Sequence, residues 1–140
     1  MNQQVKKILV VDDYPNWRDL LQHVLEGEGY VVQVAVSHLE AITKLEKEKF
    51  DVVISDMRLV DAETYNVQGM DLLKRLKKKA PNTGAVILTG YPDLSQKEKA
   101  IGQYGADAYL SKSPEGKDNS GIDNFDIDAF SDLVASLTQD

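Results

Sequence analysis

The feature of the sequence that most constrains the fold is a run of β-branched residues that ends on a carboxylate, Val52-Val53-Ile54-Ser55-Asp56. Its apolar residues are consecutive rather than alternating, which is typical of a strand buried on both faces in a parallel sheet covered by helices. Asp56 stands where that strand is expected to end. Ligands bind at the carboxyl edge of such sheets, because helix N-termini direct their amide groups toward it. The run therefore indicates an α/β fold with Asp56 as a candidate for chemistry.

Residues 8–11 repeat this pattern before Asp12, and three further short, mostly apolar runs are also expected to form strands. Four of the resulting five strands end on polar side chains that can take part in chemistry, namely Asp12 with Asp13, Asp56, Thr89 and Lys112. The predicted strands cover residues 8–11, 31–36, 52–54, 85–88 and 108–110.

Segments with apolar residues at helical spacing separate the strands and predict five helices. The first begins at Pro15 and closes at Gly27, and Ser37 is a suitable N-cap for the second. The fourth, over residues 95–104 with Gly105 at its C′ position, has a thin apolar face, so we expect it to be loosely held. The buried faces are assigned to Trp17, Leu20, Leu21, Val24 and Leu25; Leu39, Ile42 and Leu45; Met70, Leu73 and Leu76; Ala100, Ile101 and Tyr104; and Ile127, Phe130, Leu133, Val134 and Leu137.

Alternation of five strands with five helices requires a doubly wound parallel sheet with right-handed crossovers. We take the flavodoxin-like strand order 2-1-3-4-5 by analogy with other folds of this kind. In that order strands one and three are neighbours, and Asp12, Asp13 and Asp56 converge at the crevice between them. The length of 140 residues suits one domain. We expect a single domain over residues 1–140 with its core at about 6–138.

Composition excludes several classes of function. The net charge of −7 argues against nucleic acid as a direct partner, because duplex binding requires a basic face. The absence of cysteine excludes disulfides, thiolate zinc sites and thiol nucleophiles. With neither a signal peptide nor a membrane span in the sequence, we expect a cytoplasmic protein without membrane contact. The one basic run, residues 74–79, is interpreted as a solvated helix face.

The residues at the strand ends suit phosphoryl transfer. Three carboxylates held close together repel one another, and a hard divalent cation with oxygen ligands is the natural way to keep them ionised. Mg²⁺ fits best, because it accepts a few carboxylates and still binds phosphate oxygens. Asp56 could then attack phosphorus to form an aspartyl phosphate, while Lys112 supplies a cation and Thr89 donates a hydroxyl hydrogen bond.

This set of residues resembles the receiver domain of two-component response regulators. The matching motifs are the acidic pair Asp12-Asp13, the strand-end Asp56, Thr89 followed by a small residue, and Lys112 preceded at three positions by an aromatic residue, Tyr109. The resemblance extends over residues 8–137.

The resemblance implies a metal site and two positions that control the lifetime of the phosphoryl group. Mg²⁺ would be bound by Asp12, Asp13 and Asp56, with help from the backbone carbonyl of Arg58. Arg58 and Tyr91, two residues after Asp56 and Thr89 respectively, would flank the path of the hydrolytic water. Because both are large, we expect slow loss of the phosphoryl group.

The resemblance also implies a signalling module rather than an enzyme, with self-phosphorylation and autodephosphorylation as its only reactions. The phosphoryl donor would be a sensor histidine kinase or a histidine phosphotransfer protein. Lys112 would bridge to the phosphoryl group, and Thr89 and Tyr109 would switch on phosphorylation. A downstream protein, or a second copy of the chain, would then dock on the face formed by helix four, strand five and helix five.

Two regions depart from the family pattern. Val60 stands where the family usually has proline, and about five extra residues lengthen the 59–68 connection before Gly69. Ser113 separates Lys112 from the proline that usually follows it, and residues 113–125 contain an insertion.

Other interpretations remain for these residues. Taken singly, Asp12 and Asp13 could cap the first helix, and Thr89, Lys112 and Tyr109 could be ordinary strand-end or surface residues. Haloacid-dehalogenase-type phosphatases use a similar set on a related fold, but their nucleophile lies in an Asp-x-Asp pattern that the segment after strand one lacks. A receiver-like adaptor that no longer switches is a third alternative.

Overall fold

The structure is a computed structural model that describes residues 5–56, 68–90, 94–112 and 125–139. Most of the two departing regions, and the predicted site positions Arg58 and Tyr91, lie outside these ranges. The strands of the described part are β1 (Lys7–Val11), β2 (Val31–Ala35), β3 (Val52–Asp56), β4 (Gly84–Thr89) and β5 (Ala108–Ser111). Its helices are α1 (Pro15–Gly27), α2 (His38–Lys47), α3 (Gln68–Lys79), α4 (Leu94–Glu98, continuing as a π-helical turn at Lys99–Gln103) and α5 (Ile127–Thr138).

All five strands are parallel and lie in the order β2-β1-β3-β4-β5, which confirms the predicted fold. The register aligns the central strands, since Val10 is paired with Val34 on one side and with Ile54 on the other. The ends of β1 and β3 therefore lie side by side at the carboxyl edge, and the residues that follow β1 meet the last residue of β3 there.

The uninterrupted apolar runs serve two cores, one on each face of the sheet. Consecutive strand residues point to opposite faces. Leu9 and Val11 of β1 accordingly lie in one buried cluster with residues of α2 and α3, and Ile8 and Val10 lie in the other with residues of α1 and α5. This two-sided burial explains why the strands show no polar alternation.

The predicted buried face of α2 is wrong at Leu39, which is 73% exposed. Ala41, Ile42 and Leu45 pack into the core, and His38 contacts Asp71 of α3, so the inward positions follow the i, i+3, i+4, i+7 spacing of a helical face. The predicted set was spaced by three residues throughout, and such a set drifts around a helix with 3.6 residues per turn. The predicted N-cap is confirmed, since Ser37 Oγ accepts a hydrogen bond from the backbone of Glu40.

The fourth helix also differs from its prediction. Ile101 is exposed, and Ala100 is the buried apolar residue of the π-helical turn. A π turn has more residues per turn than an α-helix, so residues within it are rotated away from the face that an α-helical count assigns them. Gly105 has φ +82°, as expected for a C′ glycine. Ile127 of α5 is likewise exposed, whereas Phe130 and Val134 are buried as predicted.

Candidate functional site

Three carboxylates meet at the carboxyl edge, between β1 and β3. Asp12 and Asp13 follow β1, Asp56 ends β3, and one carboxylate oxygen from each lies within 4.8 Å of the others. Asp12 and Asp56 are buried, and Asp13 is half-buried. Like charges this close repel strongly when water is excluded, so the group requires cations.

Backbone contacts fix Asp12 in this position. Its amide donates to the carbonyl of Ala35 at 3.1 Å, which extends the β1–β2 pairing by one step. Its Oδ1 accepts a hydrogen bond from the backbone of Tyr14 at 2.9 Å, and its carbonyl accepts one from Arg18 at 2.8 Å. The N-cap of α1 is Tyr14, without a side-chain cap, so the interpretation of Asp12 and Asp13 as helix caps is wrong.

Lys112 brings a cation to the carboxylates. Its Nζ lies 2.8 Å from Asp12 Oδ2 and 3.0 Å from Asp56 Oδ2, and the residue is 3% exposed. Its backbone amide donates to the carbonyl of Thr89 at 2.8 Å, which ties the end of β5 to the end of β4. The position of the lysine is therefore set by the sheet rather than by a flexible loop.

The ammonium of Lys112 remains charged at neutral pH. Burial by itself lowers the pKa of Lys112, because the cation loses hydration. The charges of Asp56 and Asp12 and their hydrogen bonds outweigh burial, so the pKa is raised above its ordinary value.

Two aromatic rings also lie beside Lys112, and no sequence pattern predicted this contact. The Nζ atom lies 5.3 Å from the ring centre of Tyr14 and 5.0 Å from that of Trp17. Trp17 in turn meets Phe125 edge to face, with ring centres 5.2 Å apart. Helical spacing identified Trp17 as a core residue, but the contact with Lys112 depends on how α1 packs against the sheet.

The predicted switch residues are both buried. Thr89 ends β4 beside Ser111 of β5, at the same edge as the carboxylates. Tyr109 lies in β5, and its ring packs into the cluster shared with α2 and α3. His38 does not reach the carboxylates, since its Nε2 lies 2.7 Å from Asp71 Oδ2 on α3. A hydrogen bond from Arg75 and, to a smaller extent, one from His38 lower the pKa of the Asp71 carboxyl. Partial burial acts in the opposite direction but is outweighed.

The donor set of the cluster fits a hard divalent cation. It offers carboxylate oxygens alone, which Mg²⁺, Ca²⁺ and Mn²⁺ prefer over the nitrogen- and sulfur-selective metals. A cation bound there would compete with Lys112 for oxygens of Asp12 and Asp56. The cluster can therefore hold a metal ion next to Asp56, a carboxylate that also contacts Lys112.

The chain belongs to the response regulator receiver domain family, whose model matches residues 8–118. This family acts in two-component signalling, its members bind Mg²⁺ at an acidic pocket, and they are generally not catalytic enzymes. The match favours the receiver interpretation over the haloacid-dehalogenase alternative.

Similar proteins cover nearly the whole chain. Sporulation initiation phosphotransferase F of Bacillus subtilis (strain 168) is 32% identical over 129 residues, which cover 92% of this chain and 90% of that protein. The structure of response regulator protein TrrA from Thermotoga maritima, in complex with Mg²⁺-BeF, is 31% identical with a TM-score of 0.72, and the match covers 95% of this chain and 99% of that one. The signal receiver domain of an HD domain-containing protein from Pseudomonas fluorescens Pf-5 is 26% identical with a TM-score of 0.79, covering 98% and 89%. Among the described residues, no helix is long and apolar enough to cross a membrane.

Proposed function

We propose that this chain is a phosphoacceptor module of a two-component or phosphorelay system and is phosphorylated on Asp56 in a Mg²⁺-dependent reaction. The observation that carries the proposal is the convergence of three carboxylates with the ammonium of Lys112, which lies 3.0 Å from Asp56 Oδ2. A phosphohistidine on a sensor histidine kinase or a histidine phosphotransfer protein is the donor.

In the proposed reaction, a carboxylate oxygen of Asp56 attacks the phosphorus atom in line with the leaving group. The new O–P bond forms as the P–N bond of the donor breaks, and the electron pair of that bond remains on the imidazole. Phosphoryl transfer of this kind depends mainly on positioning and charge neutralisation. The fixed location of Asp56 at the end of β3 supplies the positioning.

The other residues of the site stabilise the transferred group. Lys112 exchanges its contact with Asp56 for one with a phosphoryl oxygen, and Thr89 donates its hydroxyl hydrogen to another. Asp12, Asp13 and Asp56 would hold Mg²⁺, with the carbonyl of Arg58 as a further ligand. When bound, Mg²⁺ neutralises negative charge on the carboxylates and on the phosphoryl oxygens. Arg58 and Tyr91, which lie outside the described residues, flank the path of the hydrolytic water and slow the loss of the phosphoryl group.

The output is a change in the face formed by α4, β5 and α5. We propose that Thr89 and the ring of Tyr109 move together, with Tyr109 exchanging between its buried position and a more exposed one. Leu94 and Ile101 are large apolar residues exposed on α4 and its π-helical turn, and they suit contact with a partner. The partner is a downstream protein, and a phosphorylation-dependent second copy of the chain is the alternative.

The remaining parts of the proposal concern the whole chain. Residues 1–140 form one receiver domain, which has no catalytic activity beyond its own phosphorylation and dephosphorylation. It works in the cytoplasm, where ATP-dependent kinases supply phosphoryl groups. We propose no direct contact with nucleic acid or membrane.

Intact-mass spectrometry after incubation with acetyl phosphate and Mg²⁺ tests the central claim. We expect one added phosphoryl group in the wild-type protein and none in Asp56→Ala. Asp132→Ala, which removes an exposed carboxylate on α5, is the matched control and should be modified like the wild type. An adduct of equal yield in Asp56→Ala would disprove the assignment of the acceptor.

A further inference from the structure

Lys112 makes two kinds of contact, one with carboxylates and one with aromatic rings. Carboxylate oxygens of Asp12 and Asp56 lie 2.8 and 3.0 Å from its Nζ. The ring centres of Tyr14 and Trp17 lie 5.3 and 5.0 Å from the same atom. With the lysine 3% exposed, these rings take the place of hydrating water around the cation.

The two kinds of contact respond differently to the chemistry proposed for Asp56. Cation binding by the carboxylates, or phosphorylation of Asp56, withdraws the oxygens that now hold Lys112. The faces of the aromatic rings are not consumed by either event. A cation–π contact is strongest when the cation is desolvated and the ring is tryptophan, and both conditions hold at Trp17.

Trp17 is also the better anchored of the two rings. It is 5% exposed and is braced by Phe125, whose ring contacts Phe130 at 5.5 Å. Tyr14 is 46% exposed at the start of α1. Trp17 therefore offers a buried ring face, whereas Tyr14 adds a second ring that is partly open to solvent.

We propose that Trp17, assisted by Tyr14, is a positioning residue for Lys112, which keeps the ammonium beside Asp56 while the carboxylate contacts are exchanged for a metal ion and a phosphoryl group. The consequence for phosphorylation rests on the proposed function, whereas the holding of Lys112 by the ring does not. The competing interpretation is that Trp17 only fills the core between α1 and α5.

Three variants of the full chain separate these interpretations. Trp17→Leu removes the ring, and Trp17→Phe restores a smaller aromatic face. Phe130→Leu removes an aromatic ring of the same cluster that forms no cation–π pair with a lysine among the described residues. Urea unfolding at the assay temperature verifies that each variant is folded. Should Trp17→Leu fail to fold, Tyr14→Leu replaces it, because Tyr14 is half-exposed.

The first readout is the NMR signal of the Lys112 side chain, which needs no phosphoryl transfer. Protons above an aromatic face are shifted upfield, so the ε-methylene protons of Lys112 should resonate upfield of those of exposed Lys78. We expect this shift to be lost in Trp17→Leu, partly kept in Trp17→Phe and kept in Phe130→Leu. An unchanged Lys112 signal in Trp17→Leu would overturn the proposal.

The second readout is the rate of phosphorylation by acetyl phosphate at varied Mg²⁺ concentration. We expect Trp17→Leu to lower the maximal rate roughly threefold to tenfold, with Trp17→Phe in between. The Mg²⁺ concentration for half-maximal rate should change less than about twofold, because the metal ligands are untouched.

Equal rate losses in Trp17→Leu and Phe130→Leu would overturn the positioning role and leave the proposed function standing. A wild-type protein that accepts no phosphoryl group would instead refute the proposed function, and the NMR comparison would still decide whether Trp17 holds Lys112.

Discussion

At the scale of single residues, the site is a set of charges whose positions are fixed by backbone contacts. Asp12 is held by the backbones of Ala35 and Tyr14, and Lys112 by the carbonyl of Thr89. Side chains fixed in this way are preorganised, so little reorganisation is needed when a metal or phosphoryl group binds.

Asp13→Asn should weaken Mg²⁺ binding, because it removes one of the three carboxylates while keeping the shape of the side chain. We expect a loss of about tenfold or more, the loss found even for residues that only orient metal ligands. Fluorescence of Trp17, the single tryptophan of the chain, provides the titration signal from beside the site. Asp19→Asn, an exposed substitution on α1, is the control and should leave the affinity unchanged. Equal Mg²⁺ affinities for Asp13→Asn and the wild type would remove Asp13 from the proposed metal site.

At the scale of elements, strand positions followed from the sequence more directly than helix faces did. A buried strand of β-branched residues is recognisable locally, and its end marks the candidate site, so Asp12, Asp13, Asp56 and Lys112 could be located from the sequence. The inward face of a helix depends on its exact start and rotation. This is why Leu39 was misassigned and why the aromatic neighbours of Lys112 were missed.

The basic run of α3 shows the same limit. Residues 74–79 were interpreted as a solvated face, and this is wrong for Lys77, whose Nζ donates to the carbonyl of Thr83 at 2.6 Å and contacts Asp107 at 3.3 Å. The stem of Lys77 also lies against Gly105. Lys77 thus joins the end of α3 to the start of β4 and to the turn before β5.

Lys77→Met should destabilise the protein by about 1.5 kcal/mol, because hydrogen bonds to a charged donor are lost while the packing of the stem is kept. Lys78→Met is the matched control. Lys78 is exposed and makes no polar side-chain contact within the described residues, so its replacement should change stability by less than about 0.5 kcal/mol. Urea unfolding monitored by circular dichroism measures both values. Similar values for the two variants would show that Lys77 is not a structural link.

At the scale of the whole molecule, the sheet separates two cores and carries the site at one edge. The site draws on both sides, since Trp17 and Phe125 belong to one core and Tyr109 to the other. A change at Thr89 can reach the second core through β5, because Thr89 is paired with Ser111. The parallel sheet was predictable from the alternation of strands and helices, whereas its strand order rested on analogy and the contacts across the sheet were not predicted.

We expect phosphorylation to alter α4 and β5 as well as the site. The π-helical turn of α4 buries only Ala100, so its repositioning costs little. To convert the protein from a mostly inactive to a mostly active conformation, the phosphoryl group must favour the active one by about 5.5 kcal/mol. Charged contacts from Thr89 and Lys112 to the phosphoryl group can supply part of this preference. Amide hydrogen exchange with and without beryllofluoride and Mg²⁺ should change over residues 95–112. Changes confined to the neighbourhood of Asp56 would contradict the proposed switch.

The contact of Lys112 with two aspartates has a further consequence for the selection of ions. The three carboxylates and the ammonium of Lys112 sum to a formal charge of −2. A monovalent ion leaves one negative charge in place, a trivalent ion reverses the sign, and a divalent ion makes the pocket electrically neutral. Valence rather than ionic radius is then the first criterion for occupancy, because an unbalanced charge is costly where water is excluded. Divalent ions of different size should compete for this pocket, whereas Na⁺ and K⁺ at equal concentration should not displace them.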